Sequence, residues 1–415
     1  MEFLEIASLL IVFAGIFGVI NYFFLRLPAA IGIMVVALLA SLALIGLEAV
    51  LPSFSFTEEL RQDVRELEFS KALLEGMLGL LLFAGGLHVK LEDLKAEAWS
   101  VALMATIGVA LSTAIAGVGF SWITGAPLLI ALVFGALISP TDPVAVLGVL
   151  READLRRSLE TKIAGESLFN DGVGYVIFLL LVGLAFPAGD GHAADAGEAI
   201  LLFIQEAGGG ALLGGVLGWL VFSVMRRIDD YPLEVLLSLG LAFGGYQLAV
   251  ALHVSGPIMA VVAGLFIGHV GLKHGMSDET RNYLQAFWTL VDEILNAVLF
   301  LLIGIEVFAI TWETDFLVAG ALSIGLALSA RLAAVAVPIL ALRFFREYPR
   351  DVIPIMTWGG LKGGISVALA LSLPEGEWKP IILTVTYMVV VFSIIVQGLT
   401  IAPLAKRLSR EPEML

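Results

Sequence analysis

Gly165-Glu166-Ser167-Leu168-Phe169-Asn170-Asp171-Gly172 runs straight into residues 173–186, an apolar run long enough to finish crossing a membrane. An ionisable group at membrane depth costs on the order of 3 kcal/mol on insertion scales, which marks Asp171 as functional. Upstream, a second apolar run is interrupted by Ser139-Pro140-Thr141-Asp142-Pro143. Two prolines there remove backbone donors and break the helix around a second carboxylate. The two stretches together read as an ion site inside a membrane transporter.

The composition sets the fold class. The chain has 415 residues, of which 59% are hydrophobic and 15% charged, with a mean hydropathy of +0.99. A soluble domain has no use for so much apolar surface, so an all-α polytopic membrane protein in contact with lipid is expected. Forty-four glycines suit close helix contact in lipid. The absence of cysteine excludes disulfides and thiolate chemistry. Five scattered histidines form no ligand cluster, and His269 and His274 read as loop residues. A net charge of −15 argues against nucleic acid. Glu2 and Glu5, with no basic stretch, argue against a cleavable leader.

Thirteen spanning segments are expected, at 4–25, 28–47, 70–88, 97–121, 127–149, 160–186, 198–224, 232–252, 255–271, 284–310, 316–342, 351–373 and 379–403. Alternate connections carry the basic residues. One set holds 17 lysines and arginines, from Arg26 to Arg410, and the other holds only Arg61, Arg65, Lys71 and Lys379. Arg331 and Lys362 fall inside segments. The positive-inside rule then predicts an extracellular N-terminus and a cytoplasmic C-terminus. Residues 53–69 read as an amphipathic surface helix or loop on the outer face.

A second glycine-rich interruption, Trp358-Gly359-Gly360-Leu361-Lys362-Gly363-Gly364-Ile365, lies in segment twelve. If segments 1–6 and 8–13 form two inverted six-helix repeats, broken helices 5 and 12 occupy matching places. That symmetry points to a binding site at the midplane.

In segment six, Ser167 and Asp171 are four apart, as are Glu166 and Asn170, so adjacent stripes of one face carry two carboxylates, a hydroxyl and an amide. Oxygen ligands suit hard cations, and Thr141 can add another. A cation- and proton-binding set of Asp171, Asn170, Ser167, Glu166 and Thr141 is therefore expected, with Na+ at Asp171, Ser167 and Thr141. A structural polar network is the alternative use of the same residues. Asp142 suits the positive ends of half-helices and Lys362 the negative ends or orphan carbonyls. Arg331 needs a partner, for which Glu166 is the candidate, leaving Asp171 free to titrate. Asn296 is expected to cross-link helices. Asp292 and Glu293 read as the membrane edge, and Glu75 as a pathway rim or a structural pair.

Gly165-Glu-Ser-Leu-Phe-Asn-Asp-Gly-Val-Gly174, Ile138-Ser-Pro-Thr-Asp-Pro-Val-Ala-Val146 and Trp358-Gly-Gly-Leu-Lys-Gly-Gly-Ile-Ser-Val-Ala-Leu369 resemble the sodium/proton exchanger branch of the monovalent cation/proton antiporters. Leu81–Leu87 and Asn296–Gly304 are similar to it too. The resemblance spans nearly the whole chain. It implies a homodimer with a scaffold and a mobile core of segments 4–6 and 11–13. Along the chain, residues 1–90 and 229–312 would then be scaffold, 191–228 a linker helix, and 91–190 and 313–415 core. It also implies one-for-one electroneutral exchange tied to the Asn170-Asp171 pair, with Asp171 binding cation or proton and Glu166 pairing with Arg331. Two positions depart, Lys362 and Ala84, where the family often carries arginine and glutamate. Lysine keeps the charge but loses the bidentate fork.

The expected activity is exchange of Na+ (or Li+) for H+ across the cytoplasmic membrane, with no cofactor beyond the transported ions. Asp171 cannot hold both ions together, and moving the bare carboxylate through an apolar barrier is penalised. K+/H+ exchange by the same machinery is the nearest rival. A cation channel or a non-transporting sensor is a different class. An intramembrane protease would need Asp142 and Asp171 to share a proton as a dyad.

Overall fold

The computed structural model describes residues 3–50, 76–143, 146, 156–186, 196–272 and 276–408. The 53–69 segment, Glu75, His274 and most of the second half of segment five lie outside these residues. The described structure is helical, with no strand among the described residues. The helices are α1 (Phe3–Ile20), α2 (Ala29–Val50), α3 (Leu78–His88), α4 (Ala98–Thr124), α5 (Leu128–Ile138), α6 (Arg157–Ala185) and α7 (Ala196–Met225). They continue with α8 (Tyr231–Ala251), α9 (Gly256–Gly271), α10 (Asp278–Ile305), α11 (Thr314–Leu342), α12 (Val352–Trp358), α13 (Gly364–Leu371) and α14 (Lys379–Leu408).

Eight of these are long and apolar enough to cross a membrane: α1, α2, α4, α6, α7, α8, α11 and α14. The helices α3, α5 and α9 are shorter but apolar. Large apolar side chains such as Ile11, Trp122, Leu212 and Leu236 point outward. In lipid that exposure is favourable, because the surrounding medium is as apolar as the side chain.

Local chemistry sets the helix ends. Asp230, Ser255 and Ser277 cap α8, α9 and α10 by accepting bonds from Leu233, Ile258 and Thr280 N–H. A π turn at Asn21–Leu25 follows α1, and Arg26 closes it in the left-handed region at φ 55°. The Asn21 amide brackets Leu27, donating to its carbonyl at 2.9 Å and accepting from its N–H at 3.1 Å. These bonds make a tight turn of Arg26-Leu27-Pro28 between α1 and α2.

With no hydrophobic drive between helices in lipid, close backbone contact does the holding. The helices α4 and α5 meet through Gly117 and Gly135, whose missing side chains would strike Ala131 and Thr113 backbone. The helices α3 and α9 meet the same way at Gly264, against Phe83. Further contacts pair α4 with α11, α11 with α14, α5 with α6, and α2 with α10.

Candidate functional site

The helix α5 stops at Ile138, and Ser139–Asp142 is not helical. Pro140 and Pro143 cannot donate to an i−4 carbonyl, so the helix cannot run on. Ser139 turns its hydroxyl back to the Gly135 carbonyl at 2.7 Å and meets the Thr113 hydroxyl at 3.3 Å. The second break separates α12 from α13 at Gly359–Gly363. The two breaks touch: the Asp142 N–H donates to the Leu361 carbonyl at 2.8 Å.

Fixed charges sit at the exposed ends. Lys362 Nζ donates to the Ser139 carbonyl at 2.9 Å and the Pro140 carbonyl at 3.3 Å. A cation thus meets the negative end of α5. Asp142 lies against Gly363, the N-cap residue of α13. A Cβ on Gly363 would come within 2.5 Å of Asp142 Cβ and Oδ2. A carboxylate thus meets the positive end of α13. Gly360 is needed for a similar reason, since its Cβ would fall 2.1 Å from Arg331 Nε.

The helix α6 supplies the rest. Arg331 of α11 forms a buried bidentate pair with Glu166, one arm of which is Nη2 to Oε2 at 2.7 Å. The same guanidinium donates to the Met356 carbonyl at the end of α12. Asn170 Nδ2 donates to Glu166 Oε1 at 3.3 Å and to Thr141 Oγ1 at 2.8 Å, while its Oδ1 accepts the Thr141 N–H at 3.2 Å. Thr141 and Ser167 share a hydroxyl hydrogen bond at 2.9 Å. Asn170 therefore ties the non-helical segment after α5 to α6 in this structure. The expected cluster of Glu166, Ser167, Asn170 and Thr141 is brought together as one chain of hydrogen bonds reaching Arg331.

Asp171 stands apart from that chain. The residue is 6% exposed, and its buried Oδ1 has no hydrogen-bond partner among the described residues. It lines a cavity of about 850 Å³ together with Thr141 and Asp142. The same cavity is lined by Lys90, Asp93, Arg157 and Glu160, all from basic connections or the helix ends beside them. Asp93 and Arg157 are paired there at 2.7 Å.

Asp292, Glu293 and Asn296 of α10 line the same cavity. The sequence pattern suggested a membrane edge for the two acids. Their position on a cavity wall depends on how α10 packs against α2 and α3, which hydropathy alone does not encode. Asn296 does not cross-link helices through its amide nitrogen, which bonds Asp292 on its own helix at 2.8 and 3.1 Å. Ser393 and Gln397 of α14 reach the second break, and nothing in the sequence pattern marks them. Among the described residues no group of three or more His, Cys, Asp or Glu is placed to chelate a metal.

Two broken helices crossing beside a buried carboxylate, in an all-helical membrane bundle with a route to one surface, define a secondary transporter. A family described as "Sodium/hydrogen exchanger, transmembrane" matches residues 8–407, and the chain belongs to that family. The Na(+)/H(+) antiporter NhaP of Pseudomonas aeruginosa is 45% identical, over 98% of this chain and 97% of its own. The Na(+)/H(+) antiporter NhaH of Halobacillus aidingensis is 35% identical, over 89% of this chain and 91% of its own. The fold is that of the sodium proton antiporter MjNhaP1 from Methanocaldococcus jannaschii, with a TM-score of 0.77, 18% identity and 98% of each chain covered.

Proposed function

We propose that the protein is a secondary-active antiporter that exchanges Na+ (or Li+) for H+, one for one, by competition of the two ions for Asp171. The observation that carries this reading is the position of Asp171. Asp171 lines a cavity shared with the exposed Arg157 and the half-buried Asp93, and its Oδ1 is buried with no hydrogen-bond partner among the described residues. Thr141 lines the same cavity, and Ser167 is one hydrogen bond from it, which offers hard oxygen donors for a small cation.

The charges at the crossing support electroneutral exchange. Asp142, Glu166 and Asp171 face Arg331 and Lys362, so three carboxylates against two cations leave one negative charge. One Na+ or one H+ at Asp171 brings the sum to zero. The empty site keeps its charge, and carrying it through the apolar barrier is penalised. That penalty couples the two fluxes.

Residues 91–190 and 313–415 form the moving core, residues 1–90 and 229–312 the scaffold of a homodimer, and residues 191–228 the connecting helix 7. The contacts of α4 with α5 and α11, and of α11 with α14, support this division. The thirteen-span arrangement, with the N-terminus outside and the C-terminus in the cytoplasm, follows from the basic connections. In that orientation the cavity opens to the cytoplasm, and the structure is inward-facing. The acidic wall at Glu160, Asp292 and Glu293 would favour cations there.

Reconstitution into proteoliposomes tests the reading. A Na+ or Li+ gradient is expected to drive an internal pH change that an imposed membrane voltage does not alter. A pH change driven by K+ alone would reassign the cation. Ion flux down a voltage, without proton movement, would mean a channel.

A further inference from the structure

The gap between α12 and α13 leaves carbonyls and N–H groups that no helix satisfies, and at membrane depth each such group must find a partner. Their partners can be followed one by one. Met356 O takes Arg331, at 3.3 Å from Nε and 3.0 Å from Nη2. Leu361 O takes the Asp142 N–H. Trp358 O takes Gln397 Nε2 at 2.9 Å. The Lys362 N–H goes to Ser393 Oγ at 2.9 Å, and that hydroxyl donates to Gln397 Oε1 at 2.7 Å. The two sides of the gap are thus joined through two buried side chains of α14. Gln397 uses both halves of its amide, and Ser393 both its proton and a lone pair.

Two further observations bear on this pair. Ser393–Gln397 is a π turn inside α14, a local widening that is costly to keep and frequent at functional sites. Gln397 also shares a cavity of about 10 Å³ with Arg331, Gly360 and Lys362, so it stands beside both buried cations of the site.

We propose that Gln397 and Ser393 are positioning residues for the exchange reaction. They fix the backbone of Lys362. Lys362 in turn holds the Ser139 and Pro140 carbonyls, and these set the place of Thr141 beside Asp171. Neither residue touches the ion. This inference rests on the reading of Asp171 as the exchange site.

The test is Na+-driven proton flux in proteoliposomes for wild type, Gln397→Leu, Ser393→Ala, Ser393→Thr and Asp171→Asn. Gln397→Leu keeps the bulk and loses both bonds, Ser393→Ala loses the hydroxyl, and Ser393→Thr keeps it. Loss of one buried hydrogen bond that shapes the site is expected to raise the apparent KM for Na+ about fivefold, with the maximal rate changed less than about twofold. Ser393→Thr is expected to keep the wild-type KM. A wild-type KM in both Gln397→Leu and Ser393→Ala overturns the proposal. So does an equal rise in Ser393→Thr and Ser393→Ala, since bulk and not the hydroxyl would then matter. If Gln397→Leu does not fold, the two serine variants decide alone. Flux surviving in Asp171→Asn removes the exchange reading itself; a dead Asp171→Asn with a wild-type KM in both Gln397→Leu and Ser393→Ala removes only the positioning role.

Discussion

Asp142 and Leu361 are bonded main chain to main chain at 2.8 Å, so the two broken helices are joined at their gaps. Lys362 adds a second tie to Ser139 and Pro140. A shift of either break that left the other behind would cost these bonds, and Asp171 shares its cavity with Asp142 and Gly363 of the two breaks.

The first consequence concerns Lys362. Replacing it with Met removes the donor for two buried carbonyls, at a cost of roughly 1–3 kcal/mol for each group left unsatisfied. It also leaves the site with excess negative charge. Lys362→Met is expected to melt several degrees lower in detergent and to lose flux, whereas Lys362→Arg keeps the charge and part of both. An unchanged melting temperature in Lys362→Met would show that the ammonium does not support the break.

Glu166 and Arg331 form a pair that is buried on both sides, at 2% and 6% side-chain exposure. Removing one partner strands the other, at about 3–5 kcal/mol, while removing both is far milder. Arg331→Met is therefore expected to be more destabilising than Glu166→Gln combined with Arg331→Met. Thermal unfolding of the two single variants and the double variant gives the coupling. Strictly additive losses would mean that the two side chains act independently.

Gly363 gives a steric test. A methyl there would meet Asp142 at 2.5 Å, and overpacking of this kind costs roughly 1–3 kcal/mol. Gly363→Ala is expected to lower both stability and flux. Gly183, on α6 with nothing within 4 Å of its would-be Cβ, is the control. Equal behaviour of Gly363→Ala and Gly183→Ala would remove the close packing of Asp142 on α13.

Much of this was legible in the sequence, for identifiable reasons. Hydropathy located the helices because lipid penalises any polar run that crosses it. Pro140, Pro143 and the glycines around Lys362 marked both breaks because they change backbone chemistry directly. Arg331 and Glu166 could be matched because a buried charge requires a partner. What escaped depends on three-dimensional packing. The bonds from the Asn170 amide to Thr141 and Glu166 depend on how α6 lies against the first break. Ser393 and Gln397 look like ordinary polar residues of an apolar helix until α14 is laid against the second gap. Asp292 and Glu293 resembled the end of a helix because their cavity is formed by helices distant in the chain.

Competition for one carboxylate fixes the sign of a pH effect. Protons occupy Asp171 more fully as pH falls, so the apparent KM for Na+ is expected to rise toward low pH. Initial-rate measurements across a pH series at several Na+ concentrations check this. A KM that does not move with pH would mean that proton and cation use separate sites.

The most direct measurement is Na+-dependent proton flux by Asp171→Asn in sealed proteoliposomes, with folding verified by thermal unfolding. Asparagine keeps the shape and removes the charge that both ions would neutralise. Competition at Asp171 predicts a folded protein with no coupled flux at any pH or Na+ concentration. Coupled exchange persisting in that variant would contradict it.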